Sequence, residues 1–170
     1  MASPSGKVLV RREGDELSFL VVGHVTCHHS PALRQFAEDA QGAGAKTVEI
    51  DLRDCSYCDS TFLGTLLTLK RRFDAGDEGK FRLVRPSAAV RQLLAQIGAE
   101  RLFQIIEQAS STDMQTTWQH LTCEIDRAST SRFKRNVVEA HQALASEGGE
   151  LAKRFGPLAE AAARELDEPG

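Results

Sequence analysis

Three groups of residues in this chain have types and spacings that could do chemistry. The first is Asp59-Ser60-Thr61, between the β-branched, apolar residues 47–52 and the apolar run that begins at Phe62-Leu63-Gly64. A strand and a polar turn hand over to a helix here, so two hydroxyls sit at a helix N-terminus. Unpaired backbone N–H groups and the helix dipole favour negative charge at such a place, which can carry a phosphate without local cost. A serine at a helix start is also an ordinary cap, and position by itself reads Ser60 that way.

The second group is Cys55-Ser56-Tyr57-Cys58, the CxxC spacing of a redox pair. A catalytic pair places its first cysteine at the helix N-terminus, which Asp59 and Ser60 occupy here, so both thiols read as buried apolar groups. The third is Cys27-His28-His29, with His24 just before it, all metal-ligand types. Neighbours on an extended segment point to opposite faces and rarely converge on one ion, so a polar loop is the expectation. No metal or other cofactor is expected. The chain has no Gly-x-Ser-x-Gly elbow, no glycine-rich phosphate loop and no HExxH. Asp51 and Asp54 have no evident acid–base partner, and Asp59 orients the turn. A binding module is expected rather than an enzyme.

The elements that must position these residues follow from periodicity. Residues 8–12 and 17–22 read as strands around the turn signal at 13–16. Ser30-Pro31 starts a helix, Ser30 as N-cap and Pro31 at the first helical position; Leu33, Phe36, Ala37 and Ala40 recur along it until Gly42-Ala43-Gly44. Val48, Ile50 and Leu52 make a strand, residues 60–73 a helix, and Phe81, Leu83 and Val84 another strand. Pro86-Ser87 caps a further helix that ends at Gly98, and residues 102–106 are a last short strand. The order β-β-α-β-α-β-α-β predicts an α/β fold, a mixed sheet with packed helices.

Met114, Trp118, Leu121 and Ile125 predict a helix over 112–125, with Thr112 and Gln115 as a capping box. Phe133, Val137, Ala140 and Leu144 mark a second amphipathic helix. Leu151, Phe155, Leu158, Ala162 and Leu166 mark a third, which Gly156-Pro157 should kink or break. These stripes fold back onto the domain, or they offer a seam for a partner helix or a homodimer.

The 170 residues carry 21 Lys and Arg against 24 Asp and Glu, a net charge of -3 with no basic stripe, so no nucleic-acid partner is expected. No run approaches the about eighteen apolar residues of a membrane span. The first residues have neither the apolar core of a signal peptide nor a lipidation motif, and four irregularly spaced cysteines suit reduced thiols in a cytoplasm.

The run 47–70 resembles the central motif of the STAS family, the sulphate transporter and anti-sigma factor antagonist domains: a strand ending in Asp-Leu, an aromatic, then Asp-Ser and a Leu-Gly helix. The element order resembles that family over about residues 7–125, which implies a STAS domain at 1–125 and a helical C-terminal extension at 126–170. The resemblance implies an anti-sigma factor antagonist in a phosphorylation-controlled partner switch. Ser60 takes the place of the phosphorylated serine, with Thr61 as second choice. The implied partners are an anti-sigma factor that is a serine kinase of the histidine-kinase-like ATPase type, which holds the ATP, and a separate serine phosphatase. The contact surface it implies is Gly23, His24, Cys27 and His28 in the loop after the second strand, with Asp59, Ser60, Thr61, Phe62, Leu63 and Gly64. The family commonly has Gly where Phe62 stands; the aromatic either changes how closely a kinase approaches or folds onto the core. Phe62 also supports an alternative, a STAS subunit that docks onto a membrane transporter or signalling complex, or senses a ligand, without serine phosphorylation.

Overall fold

The computed structural model describes residues 5–76, 79–110, 117–122 and 127–168. Strands β1 (Lys7–Glu13) and β2 (Glu16–Val25) form an antiparallel hairpin in register from Lys7↔Val22 to Glu13↔Glu16. Its two-residue turn places Gly14 at φ +60°, a conformation glycine adopts without steric cost. Strands β3 (Thr47–Cys58), β4 (Lys80–Val84) and β5 (Ile105–Ile106) then add in parallel on one side of β2. Strand β6 (Gln119–His120) pairs antiparallel with the outer edge of β1, giving the order β5-β4-β3-β2-β1-β6.

Helices α1 (Ser30–Gly42), α2 (Ser60–Asp74) and α3 (Ala88–Ile97) make the three crossovers between successive parallel strands. Such crossovers are right-handed, so all three helices lie on one face of the sheet. The core sits between them: Leu33 and Ala37 of α1, Leu66 and Leu67 of α2, and Val90 and Leu94 of α3 pack with Phe19, Ile50, Leu52 and Leu83. On α3, Ser87 accepts from the Val90 N–H and Gly98 ends the helix at φ 73°, as the sequence predicts. The α/β mixed sheet with packed helices is therefore the observed fold. The other face carries two buried carboxylates, and both are satisfied. Glu49 accepts from the Ser110 N–H at 3.0 Å and from Arg82, while Asp51 is paired with Arg85.

Four local expectations are corrected. The polar stretch before Asp59 is not a turn: β3 continues to Cys58 because β2 still pairs with it through Gly23↔Cys55, His24↔Tyr57 and Val25↔Cys58, after two register shifts. The helix expected over 112–125 is absent at 119–120, where β6 occupies the edge of β1 and Leu121 donates to Val8 O at 2.9 Å. An open strand edge offers unpaired donors and acceptors, which a short extended segment satisfies and a helix cannot. Thr112, Met114, Gln115 and Ile125 lie outside the described residues. Helix α1 begins one residue earlier than read: His29 is its N-cap and Ser30 its first residue. Finally, the last helix is not broken at Gly156-Pro157. Gly156 lacks the Cβ that would clash with the proline ring, and Pro157 is on the exposed side, where water can serve the freed carbonyl.

That last helix, α5 (Gly149–Asp167), and α4 (Arg127–Ala145) form a helical hairpin through Gly148 and Gly149, both at positive φ. Helix α4 rests on α2, not on the sheet. Val138, Ala140, Ala143 and Leu144 of α4 and Leu151, Phe155 and Ala159 of α5 are buried, so the stripes fold back within the chain over these residues; Leu158, expected in the last stripe, is instead exposed, and Ala162 and Leu166 are half-buried. The buried side of α4 also contains Asn136 and His141, which no apolar pattern includes. Among the described helices, none is long and apolar enough to cross a membrane.

Candidate protein-binding site at the start of helix α2

Asp59 is the N-cap of α2 and uses its two oxygens for different elements. Oδ1 accepts from the Phe62 N–H at 2.8 Å, closing the helix start, and Oδ2 accepts from the Cys27 N–H at 2.7 Å. One carboxylate thereby fixes the loop after β2 against the first turn of α2, beyond the C-terminal ends of two parallel strands. That loop is itself held by His29, whose Nδ1 accepts from the Thr26 N–H at 3.0 Å while Nε2 lies 2.9 Å from Gly6 O. Nδ1 must be bare and Nε2 protonated to make both bonds.

Ser60 is the first residue of α2, half-buried, with Oγ 3.2 Å from Nε2 of His141 on α4. His141 Nδ1 is buried and has no hydrogen-bond partner among the described residues. An orphaned N–H is costlier to bury than a bare ring nitrogen, so the proton belongs on Nε2 and His141 donates to Ser60. The pair is then a cap on the hydroxyl and not a nucleophile with its base. Burial lowers the His141 pKa, against a smaller opposite pull from Asp59, which keeps the ring neutral.

The residues expected to face a partner divide into two sets. His24, Cys27, Asp59 and Ser60 are half-buried and His28 is exposed; Cys27 and His28 lie with Asp59 and Ser60 around the Asp59 bridge, while His24 is still in β2, opposite Tyr57. Gly23 is buried in β2, and Thr61, Phe62, Leu63 and Gly64 are buried in the first turns of α2. In this conformation these five support the surface from beneath. Phe62 is 0 % exposed and belongs to the core, so the aromatic does not project toward an approaching protein. Thr61 is 5 % exposed, inside the helix start.

Helix α4 covers the rest of this end. A Cβ on Gly64 would lie 2.2 Å from Ala140 O, so the absent side chain is what lets the two helices meet backbone to backbone. Around that point Asn136 donates to Thr65 Oγ1 at 3.1 Å, and Arg34 holds Asn136 Oδ1 at 3.2 Å and pairs with Glu139. Arg71 donates to Ala143 O at 3.1 Å and pairs with Glu147. The His28 ring stacks on Phe133, centroids 5.4 Å apart, and His141 stacks on Phe155 at 6.2 Å. Asn136 and His141 could not be found from the sequence, because Thr65 and Ser60 lie more than seventy residues away in the chain.

The remaining cysteine and histidine motifs have structural places. Cys55 and Cys58 are buried and free in β3. A hydrogen bond between the thiols lowers the Cys55 pKa and, with burial, raises that of Cys58. The Cys27 thiol is pushed up, first by burial and then by the Asp59 charge, so it is held protonated. His24 stacks on Tyr57 at 4.4 Å. Among the described residues no group of three or more His, Cys, Asp or Glu could hold a metal ion.

The profile of a family described as "Mlab, STAS domain" matches residues 8–107, more than half of the chain. The chain belongs to the STAS family. Among solved structures it is similar to the anti-sigma factor antagonist SpoIIAA in its unphosphorylated form: 21 % identity, TM-score 0.52, 60 % of this chain and 89 % of that one. It is also similar to an anti-sigma factor antagonist from Mycobacterium paratuberculosis: 22 % identity, TM-score 0.53, 64 % of this chain and 92 % of that one. At these identities the likeness establishes the STAS fold. No curated protein matches the chain significantly. Helices α4 and α5 lie beyond the matched residues.

Proposed function

We propose that the chain is a non-enzymatic regulator of the anti-sigma factor antagonist type, with Ser60 as its phosphoacceptor. The observation that carries this reading is the double use of Asp59, which joins the 26–29 loop and the start of α2 into one rigid surface with Ser60 at its centre. A kinase-type anti-sigma factor binds that surface and supplies ATP. The γ-phosphorus breaks its bond to the ADP oxygen and bonds to Ser60 Oγ, and the hydroxyl proton leaves with the kinase's base. The product carries about -1.5 to -2 charge beside Asp59, which disfavours the docked state, and a serine phosphatase reverses it. Thr61 is the second choice as acceptor and would need the helix start to open. The cytoplasm is the expected compartment.

The test is incubation of the full chain with candidate ATPase-type anti-sigma kinases and ATP, read by intact mass. Wild type gains one phosphate and Ser60→Ala gains none; a gain that survives Ser60→Ala refutes the assignment. A second reading draws on the His141 contact, which already occupies the Ser60 hydroxyl. In it the same surface docks onto a transporter or signalling complex, and no kinase modifies position 60.

A further inference from the structure

One helix from outside the residues the family profile matches touches the surface just described at His28 and Ser60 and continues along α2. Phe133 stacks on His28 of the loop, His141 reaches Ser60, Ala140 lies on Gly64, Asn136 bonds Thr65, and residues 143–147 bond Arg71. Five successive contacts along α4 cover the loop and the first three turns of α2.

Much of that contact differs in chemistry from the core beneath it, which Ala143, Leu144, Leu151 and Phe155 continue. The α2 residues that face the sheet are fully apolar, whereas the layer between α2 and α4 mixes small residues with the polar pairs Asn136–Thr65, Arg71–Glu147 and His141–Ser60, and Arg34 of α1 adds a pair to Glu139. Each of these groups can take water when the helices part, so separation strands no buried charge. The apolar share of the hairpin's packing is Val138, Leu144, Leu151 and Phe155 with three alanines. Closure also stands in the way of modification. With Oγ at hydrogen-bond distance from His141 Nε2, α4 lies directly against the hydroxyl that a kinase would have to reach.

We infer that the α4–α5 hairpin is a gate over the Ser60 end of α2, closed in this structure, which must lift as a unit before a partner protein or kinase reaches Ser60. The inference rests on the functional reading of Ser60, and its test needs no kinase. In full-length Ser60→Cys, N-ethylmaleimide labelling at position 60, located by peptide mass mapping, should be slow. Adding Ala140→Glu, which puts a long charged side chain against Gly64, should speed labelling by about tenfold or more. Equal rates in the two proteins would overturn the gate. In case Ala140→Glu disturbs the sheet, native-state hydrogen exchange on the unmodified chain is the second arm. Amides of 130–166 should exchange together, about tenfold or more faster than those of β2, β3 and α2. Loss of protection by α4 only along with α2, in global unfolding, would overturn the gate. A gate that opens in both arms, with Ser60 left unmodified by kinase and ATP in Ala140→Glu, would refute phosphorylation and leave the gate standing.

Discussion

Replacing Gly64 with alanine sets two effects of similar size against each other. In an unobstructed helix interior the change stabilises by about 1 kcal/mol, because alanine restricts the unfolded chain and suits the helix. Here the new Cβ would lie 2.2 Å from Ala140 O and 2.8 Å from Ala140 Cα, all backbone atoms that cannot rotate away. Ordinary contact requires α4 to retreat by roughly an ångström. That retreat stretches the Asn136–Thr65 bond from 3.1 Å and the His141–Ser60 bond from 3.2 Å beyond useful length. Two hydrogen bonds at about 1 kcal/mol each, with about 1–2 kcal/mol of lost packing, outweigh the propensity gain. The net loss in hairpin docking is about 2–3 kcal/mol, which is roughly a 30- to 150-fold change in the docking equilibrium. Hydrogen exchange of α4 in the full chain reads that change directly. The control is Gly42→Ala at the end of α1, where a Cβ would meet nothing within 4 Å; it should be neutral or slightly stabilising. If Gly64→Ala protects α4 as well as wild type does, the close approach does not hold in solution.

Two further outcomes follow from the site's electrostatics. Because burial lowers the His141 pKa, its contribution to docking is fully present above the unfolded value of about 6.5 and is lost as pH falls through that value toward the folded one. Between about pH 7.5 and about pH 5.5, hairpin protection should therefore fall more in wild type than in His141→Gln; equal falls would remove His141 as the cause. Asp59→Ala removes the α2 cap and the bridge to Cys27, so unfolding should shift by about 2–4 kcal/mol in urea titrations, and a shift below about 0.5 kcal/mol would contradict the double role. With the carboxylate gone, the Cys27 pKa should also drop, and Cys27 should alkylate faster at constant pH.

The parts of the fold legible in the sequence were those set by local periodicity. Val48-x-Ile50-x-Leu52 and the Ser87…Gly98 helix carry their own patterning and capping, and they form where expected. What stayed hidden depends on pairings between distant residues. β3 extends to Cys58 because of what β2 offers it, and 119–120 becomes a strand because β1 has an open edge. The candidate site divides the same way. Asp59 and Ser60 are visible because a helix start is a local event, whereas the Asp59–Cys27 bridge spans 32 residues and the Ser60–His141 contact spans 81. Phe62, an open question in the sequence, is answered by the core it fills.

A covering helix also changes how the surface is read by anything that binds it. If closure is favoured by about 2–3 kcal/mol, only a small fraction of molecules presents Ser60, and an intrinsic affinity is weakened by that fraction, roughly 30- to 150-fold. The same coupling runs backward: a partner that binds the open form must pull α4 away from Arg34 and Arg71. A phosphate on Ser60 would act twice, since it repels a docked partner through charge beside Asp59 and replaces the hydroxyl that His141 holds in the closed state. Phosphorylation would then act on the gate and on the partner surface through different contacts. Gate position and partner occupancy would thus be separate variables, which a STAS domain without α4 and α5 could not keep apart.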